Sequence, residues 1–374
     1  MKHAITFPSF DEYYQILQNK ARHYKRRSET RALLEDILRY YKGLKASESY
    51  QDEDGVIWDC FEPESLKPEL LDATAPSLPP GSVAEAEIES LHREFLKSSG
   101  TKRANGCVPI RRLTITTLRA NRELSRLHKE HRSGSDKVWG TEAGSNRCYA
   151  VVYEYENNLG GMAFLSVHQP VVRHSQQYFS LCQLWVSAGQ GNQAQVIEIG
   201  WQVCPKRTGH DKPVLFAYLT PNGYRQGYYD ADPQVFVPYQ NAHYRLGQPL
   251  SVTEIHLACL FDQGNWWLYV NSEPIGYYKS AALGSGPLSR GAKEFFAGGE
   301  VSSDGPWPAM GSGRPVDEGV GRAAHVRNAN LATAPGNARP VAPTIYERGA
   351  GYQVHVLNQA NWQTAFLYGG PGNA

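Results

Sequence analysis

The second half of the chain is a series of short apolar and aromatic runs that recur every 10 to 20 residues beyond Arg147. Each run has the length of a β-strand, and turn-forming residues separate the runs. In order they are CYAVVYEY, GMAFLSV, YFSLCQLWV, QVIEIGWQV, VLFAYLT, SVTEIHLACLF, NWWLYV, EPIGYY and AHVRNANL. Seven of the eight tryptophans follow position 135, so most of the large aromatic packing belongs to this half. The pattern predicts an antiparallel sandwich or barrel and argues against βαβ units.

The first part of the chain has a helical texture. From Asp11 to Gly43 apolar residues recur at about 3.5-residue spacing, and Ser28 is placed to cap the second of two helices. This segment predicts a helical hairpin. A second helical pattern follows at Val83 to Leu96, and the alternation from Cys107 to Leu118 predicts a strand.

The stretch from Leu118 to Asn146 is charged and has few apolar residues to anchor it. We therefore place the domain boundary in it, because linkers have this composition. The expected organisation is an N-terminal region over residues 1–131, a linker over 132–146 and a β-domain over 147–374.

Charge and motifs exclude several classes of function. The chain has 374 residues and a formal net charge of +1, so there is no global charge to favour nucleic acid or an anionic membrane. No apolar run is long enough to span a bilayer, and no export signal is visible at the start. The serine-hydrolase, P-loop and zinc-deaminase motifs are absent, and HKEH (His128 to His131) lacks the spacing of a metalloprotease helix. We expect no cofactor and no metal.

Two glutamates stand beside glycines in strand-like segments. In Ile197 to Val203 a period of two places the apolar residues on one face and Glu198, Gly200 and Gln202 on the other. Glu300 likewise follows two glycines in GGEV. A bare backbone next to a carboxylate leaves room for a ligand. A glutamate on a strand commonly faces solvent, and periodicity alone does not bring these two together.

At these residues the sequence resembles the neprosin family of glutamic peptidases. The similarity covers about Asp54 to Gly372 and consists of motifs in matching order and spacing. In the C-terminal half they are SLCQLWV (Ser180–Val186), IEIGWQV (Ile197–Val203), GNWWLYV (Gly264–Val270), GGEV (Gly298–Val301), MGSG (Met310–Gly313) and YGGPG (Tyr368–Gly372). In the N-terminal half DGVIWDCFEP (Asp54–Pro63) and VPIRRLT (Val108–Thr114) resemble the family's activation peptide.

The resemblance implies a mainly β fold, with an antiparallel β-sandwich catalytic domain and a smaller mixed helical and β N-terminal pro-domain. It also implies that Glu198 and Glu300 are the catalytic carboxylates, on a concave face. The expected protein is a secreted, latent precursor whose pro-region inhibits it intramolecularly. Its expected substrates are proline-containing peptides or proteins, cut after proline at acid pH.

The cysteines follow the family only in the pro-region. The resemblance implies a Cys60–Cys107 disulfide. The plant members carry further cysteine pairs in the catalytic domain, whereas the corresponding GYYDADPQVF loop (Gly227–Phe236) and the last residues of this chain contain none. The helical hairpin before Ser49 has no counterpart in the resemblance.

Two carboxyl groups that share one proton can carry out amide hydrolysis. One takes a proton from water as it attacks the carbonyl, and the other protonates the carbonyl oxygen and then the leaving nitrogen. Gln183 and Gln202 are candidate substrate-binding residues, as amide donors to the tetrahedral oxyanion. A cross-strand amide hydrogen bond explains either glutamine equally well.

Two other functions compete with the peptidase. A β-sandwich glycosidase also uses two carboxylates and aromatic platforms. A non-catalytic carbohydrate- or protein-binding module has the same fold class and does not require Glu198 and Glu300 to converge.

Overall fold

The structure is a computed structural model. It describes residues 7–25, 28–66, 73–80, 85–99, 106–130, 146–173, 175–240, 242–349, 351–358 and 361–373. The linker expected at 132–146, with His131, lies outside these residues except for Asn146. The boundaries of the expected domains stay a prediction.

The described N-terminal region combines helices with a small sheet. The helices are α1 (Phe10–His23), α2 (Glu29–Tyr40), α3 (Glu85–Ser99) and α4 (Ile115–Glu130). An antiparallel three-stranded sheet is formed by β1 (Ala46–Gln51), β2 (Ile57–Phe61) and β3 (Val108–Arg111). The predicted hairpin is confirmed, and so is the helix predicted at Val83 to Leu96 from Glu85 onward, while residues 83 and 84 lie outside the described residues.

Local capping explains the hairpin. Ser9 and Glu12 form a capping box at the start of α1, and the Ser28 hydroxyl accepts the Arg31 amide at the start of α2, as predicted. Leu34 and Ile37 are fully buried in the core that the two helices share with the small sheet. The hairpin therefore belongs to a packed N-terminal unit.

The strand predicted from Cys107 to Leu118 was wrong in its second half. The strand ends at Arg111, and α4 begins at Ile115 after Thr114, whose hydroxyl accepts the Thr117 amide. This side-chain cap diverts the chain into a helix. The charged stretch taken as linker-like from Leu118 is thus helical up to Glu130.

The cysteines follow the expected pattern. Cys60, on β2, is bonded to Cys107 immediately before β3, so the predicted disulfide is confirmed. Cys148, Cys182, Cys204 and Cys259 are free and buried.

Residues beyond 146 form the predicted mainly β, antiparallel sandwich. Its strands are β4 (Arg147–Asn158), β5 (Gly160–Ser166), β6 (Gln177–Ala188), β7 (Gln195–Val203), β8 (Val214–Thr220), β9 (Tyr228–Tyr229), β10 (Phe236–Pro238), β11 (Glu254–Asp262), β12 (Asn265–Val270), β13 (Glu273–Lys279), β14 (Ala292–Ser303), β15 (Ala324–Ala334), β16 (Asn337–Pro340), β17 (Thr344–Arg348), β18 (Gln353–Leu357) and β19 (Ala365–Gly369). Two short helices, α5 (Pro205–Thr208) and α6 (Ser280–Leu283), interrupt them.

The strands form two sheets. One has seven strands in the order β17-β4-β14-β6-β7-β8-β9. The other has nine, ordered β10-β13-β12-β11-β5-β15-β19-β18, with β16 beside β15. Ile197, Ile199, Trp201 and Val203 of β7 are fully buried in the core between the sheets, as their alternation predicts. Burying each contributes roughly 1.5–3 kcal/mol to stability, so the register of β7 is firmly set.

The N-terminal region lies against both sheets. Phe95 of α3 packs on Tyr244, with ring centroids 4.2 Å apart, and Glu94 accepts the Thr253 amide at 3.0 Å just before β11. Leu124 of α4 packs on the outer face of the seven-stranded sheet. None of the described helices is long and apolar enough to cross a membrane.

Candidate active site

Glu198 and Glu300 lie on the same face of the seven-stranded sheet, the face turned away from the sandwich core. Glu198 is on β7 and Glu300 on β14, and β6 runs between them. Directly across from Glu198 on β6 is Trp185, and across from Glu300 is Leu181. Gln183 stands midway between those two β6 residues. Each glutamate is therefore a diagonal neighbour of Gln183, at a spacing of about 7–8 Å that long side chains bridge.

Gln183 has a glycine directly across from it on each of the two neighbouring strands. Its register partners are Gly200 on β7 and Gly298 on β14. A Cβ at Gly200 would lie 2.7 Å from the Cα of Gln183, and one at Gly298, where φ is +139°, would lie 2.5 Å from the carbonyl oxygen of Ala150. Both positions therefore require glycine. The row Gly200–Gln183–Gly298 leaves the amide side chain flanked by bare backbone.

Three side chains contact the Glu300 carboxylate, which is 4% exposed. Arg147 forms an ion pair with Oε1, and the Tyr149 hydroxyl donates to the same oxygen at 3.3 Å. Gln183 donates from Nε2 to Oε2 at 3.2 Å. Burial lowers the pKa of Arg147, but the Glu300 charge, the hydrogen bond to Glu300 and the nearby Tyr149 and Tyr229 together outweigh burial and raise that pKa. Arg147 is therefore charged throughout the usual pH range.

Glu198 is held by an aromatic neighbour. The Tyr224 hydroxyl donates to its Oε1 at 3.1 Å, and Glu198 is 5% exposed. Tyr224 is in the left-handed region, with φ at 62°, and its amide donates to the Thr220 hydroxyl at 2.8 Å. The Tyr218 ring, directly across from Glu198 on β8, stacks at 5.9 Å on Tyr224. The two carboxylates thus lie in different surroundings.

An aromatic row extends sideways from Glu198. Trp185 stacks face to face on Phe296, with ring centroids 4.7 Å apart and planes 2° from parallel, and Tyr153 stacks on the other side at 5.4 Å. Register places these three rings on β6, β14 and β4 in line with Glu198. Together they form a flat apolar platform beside one carboxylate.

Leu124 of α4 joins the buried cluster on this side of the sheet, and α4 lies against α5 at the end of β7. Leu124 is 1% exposed and belongs to the buried cluster that contains Trp185, Phe296, Tyr218 and Tyr224. Beside it a cavity of about 560 Å³ separates α4 from the loop around Tyr224. The N-terminal region therefore contributes one buried side chain to the cluster that contains the aromatic row.

The two candidate glutamines have different hydrogen-bond partners in the structure. Gln183 bonds Glu300, and its Oε1 is buried without a partner among the described residues. Gln202 is on the same face and 1% exposed, across from Leu181. Its Oε1 also lacks a partner in the described part of the chain.

Sequence reasoning missed Arg147, Tyr149 and Tyr224. The alternation of CYAVVYEY already sets Tyr149 on the face opposite Cys148 and Ala150. No sequence signal shows that β4 pairs with β14. Tyr224 lies in a loop, where periodicity gives no direction.

Comparison with known proteins found one family model, described as Neprosin, that matches residues 176–371. Among solved structures, this chain is similar to Scytalido-glutamic peptidase with a peptide-based transition state analog, at 10% identity and TM-score 0.36. That match covers 61% of this chain and all of the other. This chain is also similar to SCP-B, a member of the Eqolisin family of peptidases, in a complex with the tripeptide Ala-Ile-His. There the identity is 9%, the TM-score 0.32 and the coverage 61% of this chain and 99% of the other.

Proposed function

The chain belongs to the neprosin family of glutamic peptidases, and we propose that Glu198 and Glu300 are its catalytic pair. The observation that carries this proposal is the diagonal Glu198–Gln183–Glu300 on three adjacent strands, with glycine on both sides of the glutamine. A peptide carbonyl placed over Gln183 would have one carboxyl group on each side. Such a placement suits attack from one side and protonation from the other.

We assign the general base to Glu300. The buried Arg147 guanidinium beside it stabilises the carboxylate as an anion, the form that takes a proton from water. Its Oε2 faces Gln183 and is the oxygen that would hold this water.

Glu198 is assigned as the acid. It is buried among aromatic rings, and apolar burial favours a protonated carboxyl group. It would protonate the carbonyl oxygen as water adds. The proton taken by Glu300 then passes to the nitrogen as the C–N bond breaks. Gln183 Nε2 has a second N–H that could donate to the carbonyl oxygen as negative charge develops on it.

An acid optimum follows from these roles. The reaction needs one carboxylate and one carboxylic acid, and in neutral solution an ordinary glutamate is ionised. Activity should therefore rise on acidification and fall again once both carboxyl groups of the pair are protonated.

The aromatic row supports cleavage after proline. A proline ring is apolar and rigid, and the Trp185–Phe296–Tyr153 platform lies beside Glu198, where the residue preceding the scissile bond could rest. Profiling a peptide library would contradict this preference if cleavage were indifferent to proline.

Latency is supported by Leu124, which belongs to the same buried cluster as the aromatic residues beside the proposed catalytic pair. Ion pairs also join the N-terminal region to the sandwich, Asp54 to Lys212 and Glu87 to Arg327. Acidification would weaken such ion pairs, and cleavage near the linker would then free the groove. Incubation at acid pH that leaves only full-length chain would count against this.

We also propose secretion, because the Cys60–Cys107 disulfide suits an oxidising compartment. Detection of the chain only inside cells that express it would contradict this.

The central test compares Glu198→Gln with the wild-type chain. A proline-rich protein is digested across pH 3 to 7, and the new termini are sequenced by mass spectrometry. Glu198→Gln should lose cleavage while its melting temperature stays near that of the wild type. Glu300→Gln should also be inactive, but less stable, because it leaves the Arg147 charge unpaired.

The matched control is Glu156→Gln, on β4 of the same sheet, whose side chain is 52% exposed and pairs only at the surface with Arg339. It should cleave like the wild type. Full activity of Glu198→Gln, or of Glu300→Gln assayed below its melting temperature, would refute the pair.

A further inference from the structure

A second cluster of functional side chains lies at the contact between α3 and the sandwich. It contains His92 on α3, His243 in the loop before β11, and Glu273 at the first position of β13. One nitrogen of each imidazole and one carboxylate oxygen all lie within 4.8 Å of one another. The cluster is remote from the proposed catalytic pair in the topology, because β13 belongs to the nine-stranded sheet.

A tight turn and hydrogen bonds fix the positions of His243 and Glu273. Glu273 follows a two-residue turn, Asn271–Ser272, in which both residues have positive φ, and this turn fixes the start of β13. The His243 backbone amide donates to Glu273 Oε1, and His243 Nδ1 lies 2.7 Å from Oε2. One carboxylate oxygen is thus anchored by backbone, and the other shares a proton with an imidazole.

The His92 ring is held by a hydrogen bond with Tyr244. Its Nδ1 lies 2.9 Å from the Tyr244 hydroxyl, which also accepts from the Asn271 side-chain amide at 2.8 Å. When Nδ1–H donates to Tyr244, the lone pair remains on Nε2. This arrangement, with one ring nitrogen held by an oxygen and the other free to coordinate, is the usual support of a metal-bound histidine.

We propose that His92, His243 and Glu273 form a Zn²⁺ site that fastens α3 to the sandwich. Two imidazoles and one carboxylate suit zinc, and three protein ligands leave a fourth position for water. The His243 and Glu273 side chains are 26% and 20% exposed, so an ion and its water can enter. Zinc would replace the proton shared by His243 and Glu273 and would draw in the His92 ring, whose centroid is 5.1 Å from that of His243.

The site has a consequence for the N-terminal region. His92 comes from α3, whereas the other two ligands come from the sandwich. A bound ion would therefore link two parts of the chain. These parts otherwise meet through packing, such as that of Phe95 on Tyr244, and through a few polar contacts. Bound zinc should slow the detachment of α3 from the sandwich. This inference does not depend on the catalytic roles of Glu198 and Glu300.

The test uses the full chain, without a histidine tag, in metal-free buffer at pH 7.5. ZnCl₂ is titrated by calorimetry, and amide hydrogen exchange of α3 is followed with and without the metal. The wild type should bind one equivalent of zinc, melt at a higher temperature with it, and exchange its α3 amides more slowly.

Variants identify the ligands. His92→Ala and Glu273→Gln should each weaken zinc binding by at least tenfold and remove the effect on α3 exchange. His355→Ala, at an exposed histidine on β18, is the matched control and should bind as the wild type does. If a ligand variant folds poorly, wild-type crystals soaked in ZnCl₂ and measured at the zinc absorption edge decide the question. Absence of a peak between the three side chains, or equal affinity in both ligand variants and the wild type, would overturn the proposal.

Discussion

Arg147 and Glu300 form a buried ion pair between the neighbouring strands β4 and β14, with each side chain 5% exposed. The Arg147 guanidinium also lies over the Phe179 ring, 5.0 Å from its centroid. Arg147 thus neutralises one of the two proposed catalytic carboxylates and leaves the other in an aromatic setting. We infer that this asymmetry separates the base from the acid.

Replacing Arg147 by methionine should therefore change the pH dependence of catalysis. Without the guanidinium, Glu300 is easier to protonate, so the acidic limb of kcat/KM should move to higher pH. The variant should also lose about 3–5 kcal/mol of stability, because the Glu300 charge stays buried without its partner. The measurement is a pH–rate profile on mature enzyme, taken below the melting temperature of the variant.

Arg339→Met is the matched control, since Arg339 pairs with Glu154 on the same sheet but is 37% exposed. Its profile should follow that of the wild type. An unchanged acidic limb in Arg147→Met would show that Arg147 does not set the protonation of Glu300.

The two candidate glutamines should differ in their importance. Only Gln183 donates to Glu300 and stands between two glycines, so Gln183→Leu should lower kcat by roughly 10²–10³-fold, the usual cost of losing an oxyanion donor. Gln202→Leu should lower it less than tenfold. Steady-state kinetics on both variants test this, and an equal or larger effect at Gln202 would contradict the assignment.

Local signals allowed much of the fold to be predicted. The period of two correctly separated Ile197, Ile199 and Trp201 from Glu198, because one buried face fixes the side of every residue in a strand. Ser28 and its neighbours identified the hairpin for a similar reason, since a helix cap acts over three residues.

Long-range relationships could not be read in the same way. Strand pairing places β6 between β7 and β14 and brings Arg147 to Glu300 across 153 positions. Neither segment contains a local sequence signal that shows this pairing. Helix α4 was missed because its charged residues dominate the pattern, while the buried contact on the sandwich is made by Leu124. The tertiary surroundings, and not local composition, give that leucine its role.

Leu124→Ala should loosen the cover of the proposed site. A fully buried leucine truncated to alanine typically loses 2–5 kcal/mol, and part of this loss falls on the contact between α4 and the sandwich. We expect the full-length chain to convert to active enzyme at least several-fold faster at acid pH. Conversion is followed on gels together with peptide hydrolysis.

Leu96→Ala is the control, because Leu96 on α3 is 40% exposed. It should convert at the wild-type rate. If Leu124→Ala also converts at that rate, or if the intact wild-type chain is already fully active, α4 is not an inhibitory cover.

His256 should make the protein sensitive to acid. It is fully buried on β11, and neither ring nitrogen has a hydrogen-bond partner among the described residues. Burial, and secondarily the charge of Arg327, lower its pKa to about 3. Between that value and the ordinary histidine pKa of about 6.5 the unfolded chain binds a proton that the folded chain does not, so stability falls as the pH falls through this range.

His256→Leu removes this proton uptake from the unfolded state. Between pH 7 and pH 4.5 the wild type should lose roughly 2–3 kcal/mol through His256, and the variant should not lose that part. Urea unfolding of both proteins at several pH values measures the difference. His355→Leu, at an exposed position, should keep the wild-type dependence on pH. Should His256→Leu lose stability on acidification as steeply as the wild type, His256 takes up its proton in the folded protein, and the acid sensitivity has another origin.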